Sequence, residues 1–295
     1  MKLGLGTAQF GMSYGISNLE GRTTIEEAAR ILNLAAKKDV RVIDTASGYG
    51  NSEETIGRVI KSNFSDFLIV TKTPQFGVQA ISESEGDLLE STFRESLTRL
   101  RRRAIYGLLV HHASDLLLPG SDILWDRMQQ LKTSGLIQKI GVSVYHPAEA
   151  DNLMERRNLD LIQLPLNLLD QRFLKSGCLQ KLQRLGVEIH VRSVFLQGLL
   201  LMNADELADY FNPVKATLKL FQQFCHERQV SRVEAALGVV CHLPEVSRII
   251  CGVNNSGHLL QLIEAERHAP SVDFSAFAFE DIRILIPSFW PNSAS

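Results

Sequence analysis

The sequence predicts an α/β fold, a single-domain (β/α)8 TIM barrel spanning residues 1–295, and three observations carry that reading. Eight short apolar runs alternate with eight helical segments along the 295 residues. The runs are apolar on both faces, as strands covered on two sides are. No glycine- or proline-rich linker divides the chain. Strands alternating with helices imply a parallel sheet. Eight such units close into a barrel more readily than they spread into an open doubly wound sheet, which is the alternative.

The elements follow in order. Residues 2–6 form the first strand, broken by Gly4 and Gly6. Thr23 and Thr24 with Glu26 and Glu27 open a helix to about Lys38, with Ala28, Ile31, Leu32 and Ala35 on one face. Val40, Val42 and Ile43 make the second strand, which Asp44 ends. A polar turn containing Tyr49 follows, and Ser52, Glu53 and Glu54 cap a helix to about Ser62. Residues 67–71 are a strand ending at Lys72. Leu88, Leu89, Phe93 and Leu97 have helical spacing between residues 85 and 100. Residues 105–110 are a strand ending at His111, and a helix over 122–134 is closed by Gly135. A strand over 137–142 ends at Ser143, and Pro147 opens a helix to about Arg157. Residues 159–164 form a strand ending around Gln163 to Asn167. A helix over 173–185 stops at Gly186, and a strand over 187–191 ends at Arg192 and Ser193. Residues 205–242 are expected as two helices meeting near Ser231. The last strand, 246–251, leads through Gly252 to a helix over 257–268. The aromatic tail, 270–295, is placed near the barrel mouth.

Composition excludes several function classes. With 45% hydrophobic and 22% charged residues, the chain is that of a globular protein. A formal charge of −2 offers no basic footprint for nucleic acid and no polybasic membrane anchor. No run has the apolar length that a membrane span requires. The opening MKLGLGTAQFG is too glycine-rich for a signal peptide. Cys178, Cys225, Cys241 and Cys251 lack metal-type spacing and read as reduced thiols. A cytoplasmic protein, a monomer or weak homo-oligomer, is expected.

In a barrel of this kind chemistry sits at the carboxyl ends of the strands. Those ends carry Asp44 with Tyr49, Lys72, His111, Ser143, Gln163 with Asn167, Arg192 with Ser193, and residues 252–255. A carboxylate, a phenol, an amine and an imidazole on three consecutive strand ends form a chemically complementary set. A free phenol has a pKa near ~10 and is a poor acid at neutral pH. A neighbouring ammonium, held by a carboxylate, is expected to lower it. Adjacent strand residues point to opposite faces, so only one of His111 and His112 is expected at the mouth. That argues against a metal site.

These residues sit in segments that resemble the aldo-keto reductase family from Leu3 to about Ala265. The matching pieces are GLGTAQFG at Gly4, IDTASGYGNSEETIG at Ile43, TKT at Thr71, LLVHH at Leu108, IGVS at Ile140, QLPLN at Gln163, RSVFLQGLL at Arg192 and GVNNSGHL at Gly252. The resemblance implies a catalytic tetrad of Asp44, Tyr49, Lys72 and His111, in which the phenol protonates a carbonyl oxygen as hydride arrives at carbon and the imidazole stabilises the developing charge. It also implies a nicotinamide dinucleotide bound without a Rossmann fold, and no GxGxxG is present. By the same resemblance, Gly6, Thr7, Ala8 and Asp44 adjoin the cofactor, Ser143 and Gln163 face its carboxamide, and Arg192 lies near its ring. Ser193, Phe195, Gln197 and Gly198, with Gly252, Val253, Asn254, His258 and Gln261, are implied for the pyrophosphate and adenosine end. The helix start at Ser256 and Gly257 is a ready anion site.

Three departures stand out. Val144 replaces an asparagine, His258 aligns with an arginine, and Gln261 and Leu262 align with an acid and an amide. NADP(H) is expected over NAD(H), though a neutral histidine grips a 2′-phosphate less firmly than arginine. The expected reaction is reduction of a small aldehyde, ketone or sugar-type carbonyl to an alcohol, or its reverse. The alternative is a non-catalytic nicotinamide-binding regulatory or redox-sensing protein. Phe10, Phe76, Phe195, the loop after His112 and the aromatics through Trp290 are candidate substrate walls. Short loops after most strands point to an open mouth.

Overall fold

Eight parallel strands close into a barrel in sequence order: β1 (Leu3–Gly6), β2 (Val42–Asp44), β3 (Leu68–Lys72), β4 (Ile105–Val110), β5 (Ile137–Ser143), β6 (Leu161–Pro165), β7 (Glu188–Arg192) and β8 (Arg248–Gly252). This is a computed structural model, and it describes residues 1–60 and 67–291. β8 pairs with β1, leaving no free sheet edge. The principal helices between strands are Ile25–Lys37, Ser52–Val59, Glu83–Leu100, Asp122–Thr133, Pro147–Arg156, Cys178–Arg184, Asn212–Arg228, Arg232–Cys241 and Ser256–His268.

Several helices start where a side chain satisfies the free backbone donors. Thr24 accepts from Glu27 N, Ser82 and Glu85 form a reciprocal capping box, and Ser231 does the same with Glu234. Ala28, Ile31, Leu32 and Ala35 are buried against the barrel, as their spacing requires. No helix among the described residues is long and apolar enough to cross a membrane.

The structure redraws some boundaries. The helix expected over 173–185 is two pieces, Arg172–Lys175 and Cys178–Arg184, because Gly177 takes a left-handed φ of 72° between them. Ala204–Glu206 and Asp209–Phe211 form 3-10 turns before the helix at Asn212, and a short helix, Ala8–Gly11, follows β1 directly. The helix expected to reach Ser62 is seen to Val59, and its expected end lies outside the described residues.

The barrel interior is layered. Val42, Val70, Leu109, Leu161 and Ile250 form an apolar cluster separate from the main core. Gly4 and Gly107 face the same space, since a Cβ on either would meet members of that cluster. Alternate residues of a strand share a face. Two positions further along each strand therefore come Asp44, Lys72, His111, Gln163 and Gly252, all in the layer above. Below the plug Glu188 receives bonds from His190 Nε2 (2.7 Å), Tyr106 Oη (2.5 Å) and Lys139 Nζ. Burial favours a protonated Glu188, but those bonds hold its carboxyl below the usual range.

The tail packs outside the cleft. Phe274 and Phe277 join Phe221 and Phe224, Trp290 meets Phe211 edge-on at 5.0 Å, and Phe279 N donates to Leu169 O. The described part of the tail contributes no residue to the cleft lining.

One glycine fixes the spacing of two strands. A Cβ on Gly141 would lie 1.6 Å from the Leu161 carbonyl oxygen. Gly141→Ala is expected to cost about 3 kcal/mol, because backbone rather than a side chain must yield. Urea unfolding of the variant measures this, and an unchanged midpoint would contradict the close approach.

Candidate active site

The centre of the cleft is an ion pair inside the barrel. Lys72 Nζ lies 2.8 Å from both Asp44 carboxylate oxygens and donates to Thr45 O at 2.9 Å. Its three hydrogens are therefore all engaged. Lys72 is 1% and Asp44 4% exposed. Gln163 Nε2 reaches across the barrel to Asp44 Oδ1 at 2.7 Å. Three strands, β2, β3 and β6, are thus joined through one carboxylate.

Tyr49 is set over this pair by close backbone contact. A Cβ on Gly11 would sit 1.7 Å from the Tyr49 carbonyl oxygen, and Gly50 turns with φ 54° against Gly11. Ser52 Oγ holds the next turn by donating to Thr7 O at 2.8 Å. The Lys72 ammonium stands 5.1 Å from the Tyr49 ring centroid. The His111 ring meets that of Tyr49 edge-on with centroids 5.9 Å apart. His112 also lines the cleft, 4.8 Å from His111. This overturns the expectation that only one of the two faces the mouth. β4 ends at Val110, so strand alternation no longer governs His112.

The electrostatics depart from expectation in one respect. Burial, followed by the Asp44 carboxylate, raises the Tyr49 phenol above its ordinary value, and Arg192 only partly opposes them. The sequence argument had the ammonium lowering it. Asp44 already neutralises that ammonium at contact distance, leaving little field for the phenol. Tyr49 therefore stays protonated in the free protein, the form an acid needs. Burial also draws Lys72 below its ordinary value against the pull of Asp44. Burial and the Lys72 charge pull His111 down to about 2, so it is a neutral donor or acceptor at physiological pH.

The cleft has room for about 300 Å³. Gly6, Thr7, Ala8, Ser143, Gln163, Arg192, Ser193, Phe195, Gln197, Gly198, Gly252, Val253, Asn254, His258 and Gln261 all line it, with Asp44, Tyr49 and His111. Lys72 lies beneath, reaching the cleft through Asp44. Of the candidate wall residues Phe195 lines the cleft, while Phe10 is buried in the core and Phe76 packs against it.

The loops after β1, β7 and β8 meet on one side of the mouth. Ile16 N donates to Gln197 O at 3.1 Å, Gln197 Nε2 to Tyr14 Oη at 3.4 Å and Asn254 Nδ2 to Asn18 Oδ1 at 2.6 Å. Ser193, Leu196, Gln197 and Gly198 all have positive φ, from 48° to 93°. Such a run in mostly non-glycine residues is costly and is held by the contacts around it. Tyr14, Asn18 and Tyr145 line the cleft and were not anticipated from sequence. Their only signal was position, directly after β1 and β5.

The anion site expected at Ser256 is already occupied. Ser256 N donates to Glu27 Oε1 at 2.7 Å, and Asn255 Oδ1 accepts from His258 N at 3.0 Å. Among the described residues no group of three or more His, Cys, Asp or Glu could hold a metal. Gln163 Oε1 is a buried acceptor without a partner, beside Ser143 in the cleft. An amide donor such as a carboxamide fits it.

The Aldo/keto reductase family profile matches residues 2–277. The chain belongs to the aldo/keto reductase family. Among its relatives, the aldo-keto reductase YhdN of Bacillus subtilis is 28% identical over 181 residues, 59% of this chain and 53% of that protein. An aldo-keto reductase of Mycolicibacterium vanbaalenii is 30% identical over 139 residues, 45% of this chain and 46% of that one. The chain thus spans about half the length of the curated relatives it matches. A Pseudomonas aeruginosa protein described as a candidate aldo-keto reductase superposes with a TM-score of 0.68 at 24% identity, covering 92% of this chain and 91% of that one. The holo form of an aldo-keto reductase from Bacillus halodurans gives 0.70 at 19%, covering 94% of each. Both structural likenesses establish the (β/α)8 fold of this family member.

The ion pair yields a test independent of turnover. Lys72→Met strands a buried carboxylate and is expected to cost about 3 kcal/mol in unfolding free energy. Adding Asp44→Asn removes that charge and is expected to recover part of the loss. A double variant no more stable than the single one would argue against a buried, paired Asp44.

Proposed function

We propose that this aldo/keto reductase family member reduces the carbonyl of a small aldehyde or ketone to an alcohol, or runs the reverse, with a nicotinamide dinucleotide and with Tyr49 as general acid and base. Sugar-type carbonyls are included. The observation that carries the reading is the Tyr49 phenol packed against both the Asp44–Lys72 pair and the His111 ring.

When bound, the nicotinamide supplies a hydride to the carbonyl carbon. Tyr49 gives its proton to the carbonyl oxygen as that bond forms, so the carbonyl becomes an alcohol and Tyr49 a phenolate. The phenolate regains a proton before the next turnover. Neutral His111 positions the same oxygen and steadies its developing charge. Gln163 Oε1 and Ser143 are suited to a carboxamide, and the loops at Tyr14–Asn18 and Phe195–Gly198 exclude water.

Tyr49→Phe is expected to lower kcat by more than about a thousandfold while the cofactor Kd moves less than threefold. Nicotinamide absorbance over a panel of aldehydes and ketones measures the first, and fluorescence titration the second. A fully active variant would remove Tyr49 from its role. Tight cofactor binding by the wild type without turnover on any member of the panel would favour the non-catalytic reading.

NADP(H) is the family-based choice of cofactor. NAD(H) is a second reading, favoured by Glu27, whose carboxylate sits on the Ser256 amide where a 2′-phosphate would compete. Hydrogen bonds from Ser256 hold the Glu27 carboxyl below its ordinary value, so it is charged at neutral pH. Glu27→Gln is expected to raise the ratio of NADPH to NADH affinity several-fold. Titration of both cofactors into both proteins measures it, and an unmoved ratio would place the 2′ position elsewhere.

A further inference from the structure

Glu53 is a buried carboxylate outside the cleft. It is 1% exposed and stands in the first turn of the helix Ser52–Val59, four residues after Tyr49. Its two oxygens face different elements. Oε1 accepts from Thr71 Oγ1 at 2.6 Å, and Oε2 accepts from Nε of Arg99, in the helix Glu83–Leu100, at 2.8 Å. Thr71 is itself fully buried and immediately precedes Lys72 on β3. Successive strand residues point to opposite faces, so Thr71 faces the helices while Lys72 faces the barrel interior. One carboxylate behind the barrel wall is thus carried by the helix that follows Tyr49 and bonded to the residue next to Lys72.

The turn that holds Tyr49 is pinned on both sides of that residue. Before it, the Thr45 carbonyl accepts from Lys72 Nζ at 2.9 Å, and Ser47 Oγ donates to Lys72 O at 3.1 Å. After it, Ser52 N donates to Tyr49 O at 3.0 Å, and Ser52 Oγ donates to Thr7 O on the β1 side at 2.8 Å. The Glu53–Thr71 bond is the tie to β3 on this far side. Stability does not explain a charge in that place. Desolvation offsets most of what a buried ion pair returns, and a well-packed apolar side chain would serve as well. Arg99 does not require it either, since Glu95 Oε2 and Ser96 Oγ accept from its other nitrogens at 3.1 and 3.0 Å.

We propose that Glu53 is a positioning residue of the active site. Through Thr71 it fixes the helix after the Tyr49 turn against β3, and so sets how the Tyr49 phenol stands over Lys72. The assignment rests on the carbonyl-reductase reading, in which that placement is the proton donor's. The Lys72 ammonium lies 5.1 Å from the Tyr49 ring centroid. A displacement of about an ångström at a reacting group can lower a rate about a hundredfold with every reacting group still present.

Three substitutions separate the bond from the charge. Thr71→Val breaks the bond with little change in volume, and Glu53→Ala breaks it from the other side. Glu53→Gln keeps it, since an amide pairs with a hydroxyl either way round. Thr71→Val and Glu53→Ala are each expected to lower kcat roughly ten- to a hundredfold, with KM and cofactor Kd moving less than about threefold. Glu53→Gln is expected to unfold at lower urea, having lost its charge pair with Arg99, yet to keep kcat within about threefold of the wild type. Combining Thr71→Val with Glu53→Ala is expected to cost no more than the worse single change, because both remove one bond. The His111 ring meets Tyr49 edge-on with centroids 5.9 Å apart, so its ring protons feel the Tyr49 ring current and report its place without turnover. In NMR spectra those resonances are expected to move in Thr71→Val and to stay in Glu53→Gln.

A Thr71→Val protein with wild-type kcat and unmoved His111 resonances would overturn the proposal. So would a Glu53→Gln protein as slow as Glu53→Ala, or a double variant whose loss is the product of the single losses. If Glu53→Ala does not fold, Thr71→Val and Glu53→Gln decide the matter. If the wild type reduces no carbonyl, moved His111 resonances uphold the positioning role and the reductase reading alone fails, while unmoved ones overturn the positioning role.

Discussion

The Asp44–Lys72 pair is the constraint around which the barrel mouth is arranged. Two opposite charges are held inside a β-barrel at contact distance, with Gln163 and the Thr45 carbonyl completing the shell. A buried pair of this kind adds little net stability, because desolvation offsets most of the attraction. What it contributes is a fixed arrangement, since neither partner can leave without stranding the other. The pair spans β2, β3 and β6, and it sets the electrostatic character of what lies above. The ammonium is spent on Asp44, so Tyr49 stays a phenol.

The layer beneath makes the pair possible. Five aliphatic side chains and two glycines plug the barrel's middle, and the polar layer begins two residues above them. Water is kept out from below, which strengthens every interaction in the layer above. The Glu188, Lys139, Tyr106 and His190 cluster closes the lower end with a second set of paired groups. Around the rim, backbone meets backbone where glycine allows it. Gly11 against Tyr49 is the clearest case, because that contact places the phenol.

The loops that meet at the β7–β8–β1 side of the mouth carry a cost of a different kind. Four left-handed residues within 193–198 are met by Ile16 and Tyr14 from the loop after β1. Strain stored at a ligand cleft is consistent with a segment that must rearrange when a long ligand enters. The part of the cleft under this strap holds most of the polar side chains implied for the cofactor. Tyr49 and His111 stand together at the other end.

Much of this was legible in the sequence. Strand and helix periodicity specified eight units, and each strand end named its polar residue, because the rule that chemistry follows the last strand residue is local. The motifs at Asp44, His111 and Gln163 therefore landed in one cleft, with Lys72 directly beneath it. Other features were not local. That His112 joins His111 depends on where β4 stops, and that Glu27 occupies the helix start at Ser256 depends on packing between residues 229 positions apart. The rise in the Tyr49 value came from burial and Asp44, neither of which a spacing argument can weigh. By itself the sequence determined which chemical groups stand at the barrel mouth, because strand periodicity assigns faces residue by residue. The tertiary structure alone decided which charges cancel and which are left over, because that depends on distances between strands far apart in the chain.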